Sequence, residues 1–167
     1  MNRIIVFLAV MFGAVLLTSC GTTAAQSKAD ASERMALVKD ALADRNFKID
    51  VDFMYPMKGQ SRSLTPDYSI EVRNDSLISH LPYVGEARNI PYGGGNGLIF
   101  EERINSYNQQ QKKADEVVIE IGVKNSEDTY LYTISVFDNG KSSIGVRCRE
   151  RTPISYSGEL DLTSHSK

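Results

Sequence analysis

The residues with the clearest chemistry are Leu17-Thr18-Ser19-Cys20, which close an apolar run that begins at Ile4 and follows a basic residue, Arg3. A short apolar run that ends in small residues and a cysteine is typical of a lipoprotein signal. The thiol of such a cysteine is alkylated with diacylglycerol and the preceding segment is removed. Residues 1–19 are therefore predicted to be a cleaved signal peptide, with Cys20 as the lipidated first residue. An ordinary secretory peptide with an incidental cysteine is the alternative.

Tyrosines in loops are the second set of residues that could bind something. Rigid rings with one polar atom suit stacking on a sugar or contact with a partner. A glycine-rich loop lies beside them, but it lacks the spacing of phosphate-binding loops, so positive backbone angles in a tight loop explain it better. The candidate binding residues are Tyr55, Tyr83, Tyr92, Gly93, Gly94 and Gly95. Tyrosines packed against a sheet edge are the alternative interpretation.

The sequence holds no catalytic or metal-binding pattern that we recognise. Its two histidines, His80 and His165, are far apart, and no His/Cys cluster has ligand spacing. Cys148 lies on the apolar face of a predicted strand, because it continues the alternation of the apolar residues before it. This position indicates a small buried side chain rather than a nucleophile. If Cys20 is lipidated, Cys148 is the one remaining thiol and an intramolecular disulfide is excluded. We therefore expect no metal, no cofactor and no enzymatic activity.

Net charge excludes one further class of function. The chain has 19 Lys and Arg against 21 Asp and Glu, a net charge of −2. Proteins that bind nucleic acid concentrate positive charge on one surface, and this balance gives no such signal.

One helix is predicted, and it should position the rest of the chain on a sheet. Asp30 can cap it, with Glu33 three residues on, and it should run to about Arg45, with Asn46 as its terminator. Residues 20–29 are predicted to be the lipidated cysteine and a flexible tether. A single domain should then cover residues 30–162, with a frayed tail at 163–167.

From Phe47 onward the apolar period changes to two, which predicts about seven antiparallel strands. If the apolar faces of neighbouring strands lie on the same side of the sheet, Val123 pairs with Tyr130 across a four-residue loop. A three-residue loop with Gly140 in the left-handed region places Ile144 opposite Ile134. Residues 108–113 are polar and are predicted to be a connection. The predicted strands are 47–55, 68–72, 77–81, 98–104, 117–123, 130–136 and 144–148.

Several blocks in order resemble a family of Bacteroidetes lipoproteins known as a domain of unknown function of the 4251 type. The resemblance implies an envelope lipoprotein, and no activity comes with it. The blocks are Tyr55-Pro56-Met57-Lys58-Gly59-Gln60-Ser61-Arg62, Leu64-Thr65-Pro66-Asp67-Tyr68, Leu81-Pro82-Tyr83-Val84-Gly85, Pro91-Tyr92-Gly93-Gly94 and Ile154-Ser155-Tyr156-Ser157-Gly158.

If the source is such a bacterium, Asp75-Ser76-Leu77 is similar to the short acceptor used there for O-glycosylation. The pattern predicts a turn at Asn74-Asp75, which would make Ser76 accessible.

These expectations combine into one architecture: a mainly β (α+β) domain with a single antiparallel sheet, curled or sandwich-like, and one helix packed on it. Its first predicted function is a non-enzymatic, lipid-anchored binding module at the outer membrane, facing the periplasm. The partner would be a protein, a small molecule or a glycan. The second is an envelope structural or assembly protein that works through its sheet edge near Tyr156, and the third is a hydrolase.

Overall fold

A computed structural model describes residues 22–88 and 96–163 of the chain. The first element, α1, is a helix over Thr22–Ala43. It begins eight residues before the predicted start at Asp30, so residues 22–28 are helical and not a coiled tether. Alanine, glutamine and lysine favour helix in this stretch, which contains no glycine or proline.

The helix ends at Ala43, two residues before the predicted end at about Arg45. Arg45, and not Asn46, reverses the chain, because its φ of 49° lies in the left-handed region. Two contacts hold Arg45 there: its carbonyl accepts a hydrogen bond from the Asn74 N–H at 2.9 Å, and its guanidinium lies 4.3 Å from the centre of the Tyr107 ring.

Nine strands follow within the described residues, two more than predicted, and they form one antiparallel sheet. The two added strands are β2, which has two residues, and β9, where Gly158 interrupts the apolar face. The strands are β1 Asn46–Pro56, β2 Arg62–Ser63, β3 Ser69–Arg73, β4 Ser76–Leu81, β5 Leu98–Lys113, β6 Glu116–Lys124, β7 Thr129–Phe137, β8 Lys141–Cys148 and β9 Ile154–Leu160.

The sheet closes on itself, because β9 pairs with β1 as well as with β8. Eight strands form the resulting barrel, and β2 pairs with the far part of β1 alone. The prediction of a mainly β domain with one antiparallel sheet is confirmed, but the sheet is a closed barrel, so the expectation of an open curled or sandwich-like sheet is wrong. The edge expected near Tyr156 is absent as well, since both sides of β9 are paired. The pairing of β1 with β9 satisfies the backbone groups that these two strands would leave exposed in an open sheet.

The three-strand meander of the second half is confirmed in register. Val123 lies opposite Tyr130 and Ile119 opposite Ile134. Gly140 has a φ of 81° in the three-residue loop, which places Ile144 opposite Ile134. The turn at residues 74–75 is confirmed too, with Arg73 paired to Ser76.

A bulge in β1 changes which of its side chains face inward. The pairing with β9 shifts between Val51 and Phe53, so one extra residue, Asp52, enters β1. Beyond the bulge Met54 is buried and Tyr55 is exposed, the reverse of the alternation predicted from Phe47. An inserted residue moves every later side chain to the other face.

Strand β5 is much longer than predicted, because residues 108–113 are part of it and not a connection. They pair with β6, Gln109 opposite Ile119 and Gln111 opposite Val117. Strand pairing uses the backbone, so a segment that is exposed on both faces carries no apolar alternation by which to predict it.

Side chains fill the inside of the barrel. The largest fully buried ones include Tyr130, Tyr132, Tyr156 and Phe47. Val38, Ala41 and Leu42 of α1 belong to the same apolar cluster, so one face of the helix is buried against the sheet. The Tyr132 hydroxyl donates to Ser79 Oγ at 2.9 Å, and Ser79 donates to the carbonyl of Leu98 at 2.7 Å. The polar atoms of this core are thus paired.

The barrel has two distinct ends. At the helix end lie the start of β1, the β3–β4 turn and the β7–β8 turn, with Arg34 of α1 donating to the carbonyl of Asn139 at 2.7 Å. At the loop end lie residues 82–88, the β6–β7 loop 125–128 and the β8–β9 loop 149–153. No helix within residues 22–88 or 96–163 is both long and apolar enough to cross a membrane.

Candidate functional site

A buried arginine holds the loop end of the barrel together. Arg151 has 6% of its side chain exposed and donates to Glu127 Oε2 at 2.8 Å and to the Tyr130 hydroxyl at 2.9 Å. Its guanidinium also lies 3.5 Å from Asp128 Oδ2. Burial alone lowers the pKa of Arg151, but the hydrogen bonds that it donates to Glu127 and Tyr130, together with the charge of Glu127, outweigh burial and raise that pKa.

Asp128 ties two loops to one carboxylate. Its side chain is fully buried, and it accepts hydrogen bonds from the backbone N–H groups of Thr129 at 2.7 Å, Arg149 at 3.0 Å and Glu150 at 3.2 Å. A buried charge needs such partners, because leaving water is costly. Asp128 therefore fixes the β8–β9 loop against the β6–β7 loop.

The β6–β7 loop owes its shape to Asn125. Its Oδ1 accepts from the N–H groups of Glu127 and Asp128, both at 2.9 Å, which is an Asx turn. Glu127 in turn accepts from the N–H of Asn96 at 3.1 Å, and the Tyr130 hydroxyl lies 3.3 Å from the carbonyl of Gly97. The start of β5 is thus joined to the same network.

Tyr83 joins residues 82–88 to the β8–β9 loop. Its hydroxyl lies 3.1 Å from the carbonyl oxygens of Thr152 and Glu86, and 3.0 Å from Thr152 Oγ1. A Cβ at Gly85 would overlap the Tyr83 hydroxyl and Thr152 Oγ1, so the close approach requires glycine there. The backbone adds an Ala87–Arg151 bridge between the two segments.

Two cavities lie on either side of this junction. The first, about 410 Å³, is lined by residues 86–88 and 148–153, and we call it the arginine cavity. Two exposed arginines, Arg88 and Arg149, line it, and 80% of the Arg149 side chain is exposed. The Glu86 carboxylate in its wall is paired with Lys58 at 2.8 Å. The second, about 310 Å³, is lined by residues that include Tyr83, Gly97 and Ile99.

The ionisable side chains of the loop end are engaged in contacts that hold the fold together. The half-buried carboxylate of Glu127 and the buried carboxylate of Asp128 are both engaged by Arg151 and by backbone N–H groups. Burial raises the pKa of Cys148 to about 12, so its thiol is protonated at neutral pH and a poor nucleophile. Among residues 22–88 and 96–163, no three His, Cys, Asp or Glu side chains cluster closely enough to hold a metal ion.

The tyrosines that are predicted to contact a ligand lie on different surfaces of the barrel. Tyr83 lines the second cavity with its ring while its hydroxyl is used to join the loops. Tyr55 lies on the outer face of β1, 44% exposed, with its ring 5.0 Å from that of Phe53 and its hydroxyl 3.4 Å from Ser157 Oγ. The remaining candidates, Tyr92, Gly93, Gly94 and Gly95, lie outside the described residues.

The two predicted modification sites are placed differently. Ser76 is the first residue of β4 and is half-buried, paired with Arg73 and Arg103, so it is less accessible than its turn position suggested. Cys20 lies outside the described residues. His80 is exposed on β4, with its Nδ1 2.9 Å from the carbonyl of Asp67.

The sequence interpretation missed the residues that build the loop end, namely Arg88, Glu127, Asp128, Arg149, Arg151 and Thr152. A signal for part of this set was present in the predicted register. Val146 lies opposite Tyr132 in the β7–β8 pairing. If this register is extended toward the loop end, residues 149–151 lie beside the loop 125–128. Opposite charges in those two loops, Arg151 and Glu127, then become neighbours.

Three comparisons with known proteins bear on this chain. A family model described as a domain of unknown function (DUF4251) matches residues 29–160. The crystal structure of a DUF4251 family protein from Bacteroides eggerthii DSM 20697 is similar, with a TM-score of 0.61 over 80% of this chain and 91% of that chain. The two share 13% sequence identity, so the likeness shows the fold alone. No curated protein matches the chain.

Proposed function

Since this chain belongs to the DUF4251 family, a domain of unknown function, we propose a role for it from its sequence and its loop end: a lipid-anchored, non-enzymatic binding module of the cell envelope. The ligand would carry an anionic group, and Arg88 and Arg149 in the arginine cavity would hold it. The anchor would be Cys20, at the outer membrane and facing the periplasm.

The observation that carries the binding role is the pair of exposed guanidinium groups on a rigid rim. Arg149 lies two residues before the buried Arg151, and its Nε is 3.7 Å from Glu150 Oε1, an ion pair that an anionic ligand would have to replace. The N–H of Arg88 donates to the carbonyl of Glu150 at 2.8 Å. Guanidinium groups bind carboxylate and phosphate through paired hydrogen bonds. Because the backbone beneath them is held by hydrogen bonds, a ligand would have to order the two side chains but not the loops that carry them.

Binding is tested with the tagged, full-length protein recovered from native membranes in mild detergent. We expect a component to co-purify with the wild type and to be lost from Arg88→Glu/Arg149→Glu. A matched control, Lys39→Glu/Lys141→Glu, makes the same charge change at exposed positions of α1 and β8 and should retain it. Equal recovery from both variants would contradict the proposal.

Anchoring is tested by the intact mass of the native protein. We expect loss of residues 1–19 and the added mass of diacylglycerol and an acyl chain on Cys20, because two or three chains are needed for a lasting anchor. Cys20→Ala should release the protein from the membrane fraction. A native mass that retains residues 1–19, or that lacks lipid, would refute the anchor. The same spectrum reports any glycan on Ser76.

A second candidate function, complex assembly, is favoured by a different feature. The sheet edge expected near Tyr156 is paired, but among residues 22–88 and 96–163 the segment 105–113 of β5 has a neighbouring strand on one side only. Sheet edges bind extended segments of other proteins, so this edge offers a docking surface.

A further inference from the structure

The pairing of β5 changes sides along its length. Its first part pairs with β4, from Leu98 opposite Leu81 to Arg103 opposite Ser76. Its second part pairs with β6, from Ile104 opposite Val123 to Lys113 opposite Glu116. Strand β4 begins at Ser76. The last hydrogen bond on this side of β5 runs from the N–H of Ile104 to the carbonyl of Asp75, at 2.7 Å, and the ladder between β4 and β5 stops there.

Residues 105–113 therefore have a β6 ladder along one side and no strand of the described sheet along the other, and we call this second side the free edge. The free edge is open to solvent. Every residue from 108 to 113 is exposed, including Gln109 and Gln111, which share the face of the buried Ile119 and Val117. A row of exposed backbone donors and acceptors on an edge is a template for one more strand.

Charge indicates what kind of strand would fit. The charged side chains of residues 105–113 are Lys112 and Lys113, and Lys113 is paired with Glu116 at 3.1 Å. Arg45 adds a guanidinium beside Tyr107. Edge lysines oppose pairing between identical edges, because a second copy would bring more lysines and no carboxylate into the same ladder. They attract a strand that carries Asp or Glu.

We propose that the free edge of β5 binds an extended acidic segment of a partner protein by adding it to the sheet. Backbone hydrogen bonds along residues 105–113 would provide the affinity, and Lys112 would select for acidic side chains. This surface is separate from the arginine cavity and does not depend on the function proposed for it.

The probe is a fluorescent, end-blocked peptide of about eight residues that alternates threonine and glutamate, enough to span the edge at about 3.4 Å per residue. We expect it to bind the full chain, and to slow hydrogen exchange at residues 105–113. A matched peptide with alternate backbone amides N-methylated keeps the charge but removes donors, and should bind at least about tenfold more weakly.

Two variants at Lys112, with one control variant, test whether the charge of Lys112 contributes to peptide binding. Lys112→Glu should weaken binding of the acidic peptide several-fold, and Lys112→Gln should weaken it less. Lys141→Glu, an exposed lysine on β8, should leave it unchanged. Equal binding of the N-methylated peptide, or protection from exchange elsewhere in the barrel, would overturn the proposal. So would self-association of the chain with protection at residues 105–113, which would identify a second copy as the occupant.

Discussion

Gly158 of β9 packs directly against the backbone of Asp50 in β1, at the seam where the barrel closes. A Cβ at position 158 would overlap the carbonyl oxygen of Asp50 and lie 3.0 Å from the Cα of Val51. The bulge at Asp52 begins beside this contact. The absence of a side chain at one position thus permits β1 and β9 to pair closely enough to complete the barrel.

Gly158→Ala should destabilise the protein by about 1 to 3 kcal/mol, because backbone atoms cannot move aside as a flexible side chain can. Thermal unfolding measures the loss. Gly145→Ala is the control, since a Cβ there meets nothing closer than the Thr133 carbonyl at 3.8 Å. An equal shift in both variants would show that the seam is not tightly packed.

Arg151→Ala should cost about 3 to 5 kcal/mol in the free energy of unfolding, because it leaves the buried carboxylate of Asp128 and the half-buried carboxylate of Glu127 without their cation. Urea unfolding is the measurement. Arg149→Ala removes a side chain that is 80% exposed and should change stability by about 0.5 kcal/mol or less. A small change in the unfolding free energy of Arg151→Ala would contradict the conclusion that Arg151 holds the loop end together.

Tyr132→Phe should cost about 1 to 2 kcal/mol, since it removes a hydroxyl that is buried and donates to Ser79 Oγ. Tyr55→Phe, at a position 44% exposed, is the matched control and should change stability little. Unfolding in urea distinguishes the two. Equal costs would mean that the Tyr132–Ser79 hydrogen bond adds nothing to the core.

Cys148 should react slowly with iodoacetamide in the native protein at about pH 8, at least about tenfold more slowly than in urea, because the reactive species is the thiolate. Burial raises the pKa of this thiol from 9.0 to about 12. Mass spectrometry of the peptide that contains Cys148 gives the rate separately from Cys20. Fast labelling of folded protein would show that the thiol is not protected.

The same raised pKa predicts a loss of stability in alkali. The unfolded thiol releases its proton near pH 9, whereas the folded thiol retains it to about pH 12, so the folded state binds more protons in between. This contribution is fully present below about pH 9 and is lost as the pH rises toward 12. Cys148→Ala should show a smaller fall in unfolding free energy between about pH 8 and pH 10.5 than the wild type.

The local parts of the fold could be predicted because each depends on neighbouring residues. The faces of β6, β7 and β8 admit one register in which apolar side chains meet, and the short loops at residues 125–128 and 138–140 enforce it. The lipid-anchor motif at Cys20 is local in the same sense, although its modification stays a prediction.

Barrel closure and the loop end depended on contacts between distant parts of the chain. The residues near Asp52 do not predict a bulge. The bulge forms where β1 pairs with β9, a strand that lies more than a hundred residues further along the chain. Arg151, Glu127 and Asn96 carry no common motif, and their pairing follows from which loops the closed barrel brings to one end. Side-chain periodicity reports which face of a strand is buried, but not which strand lies beside it, and the tertiary structure alone decided that.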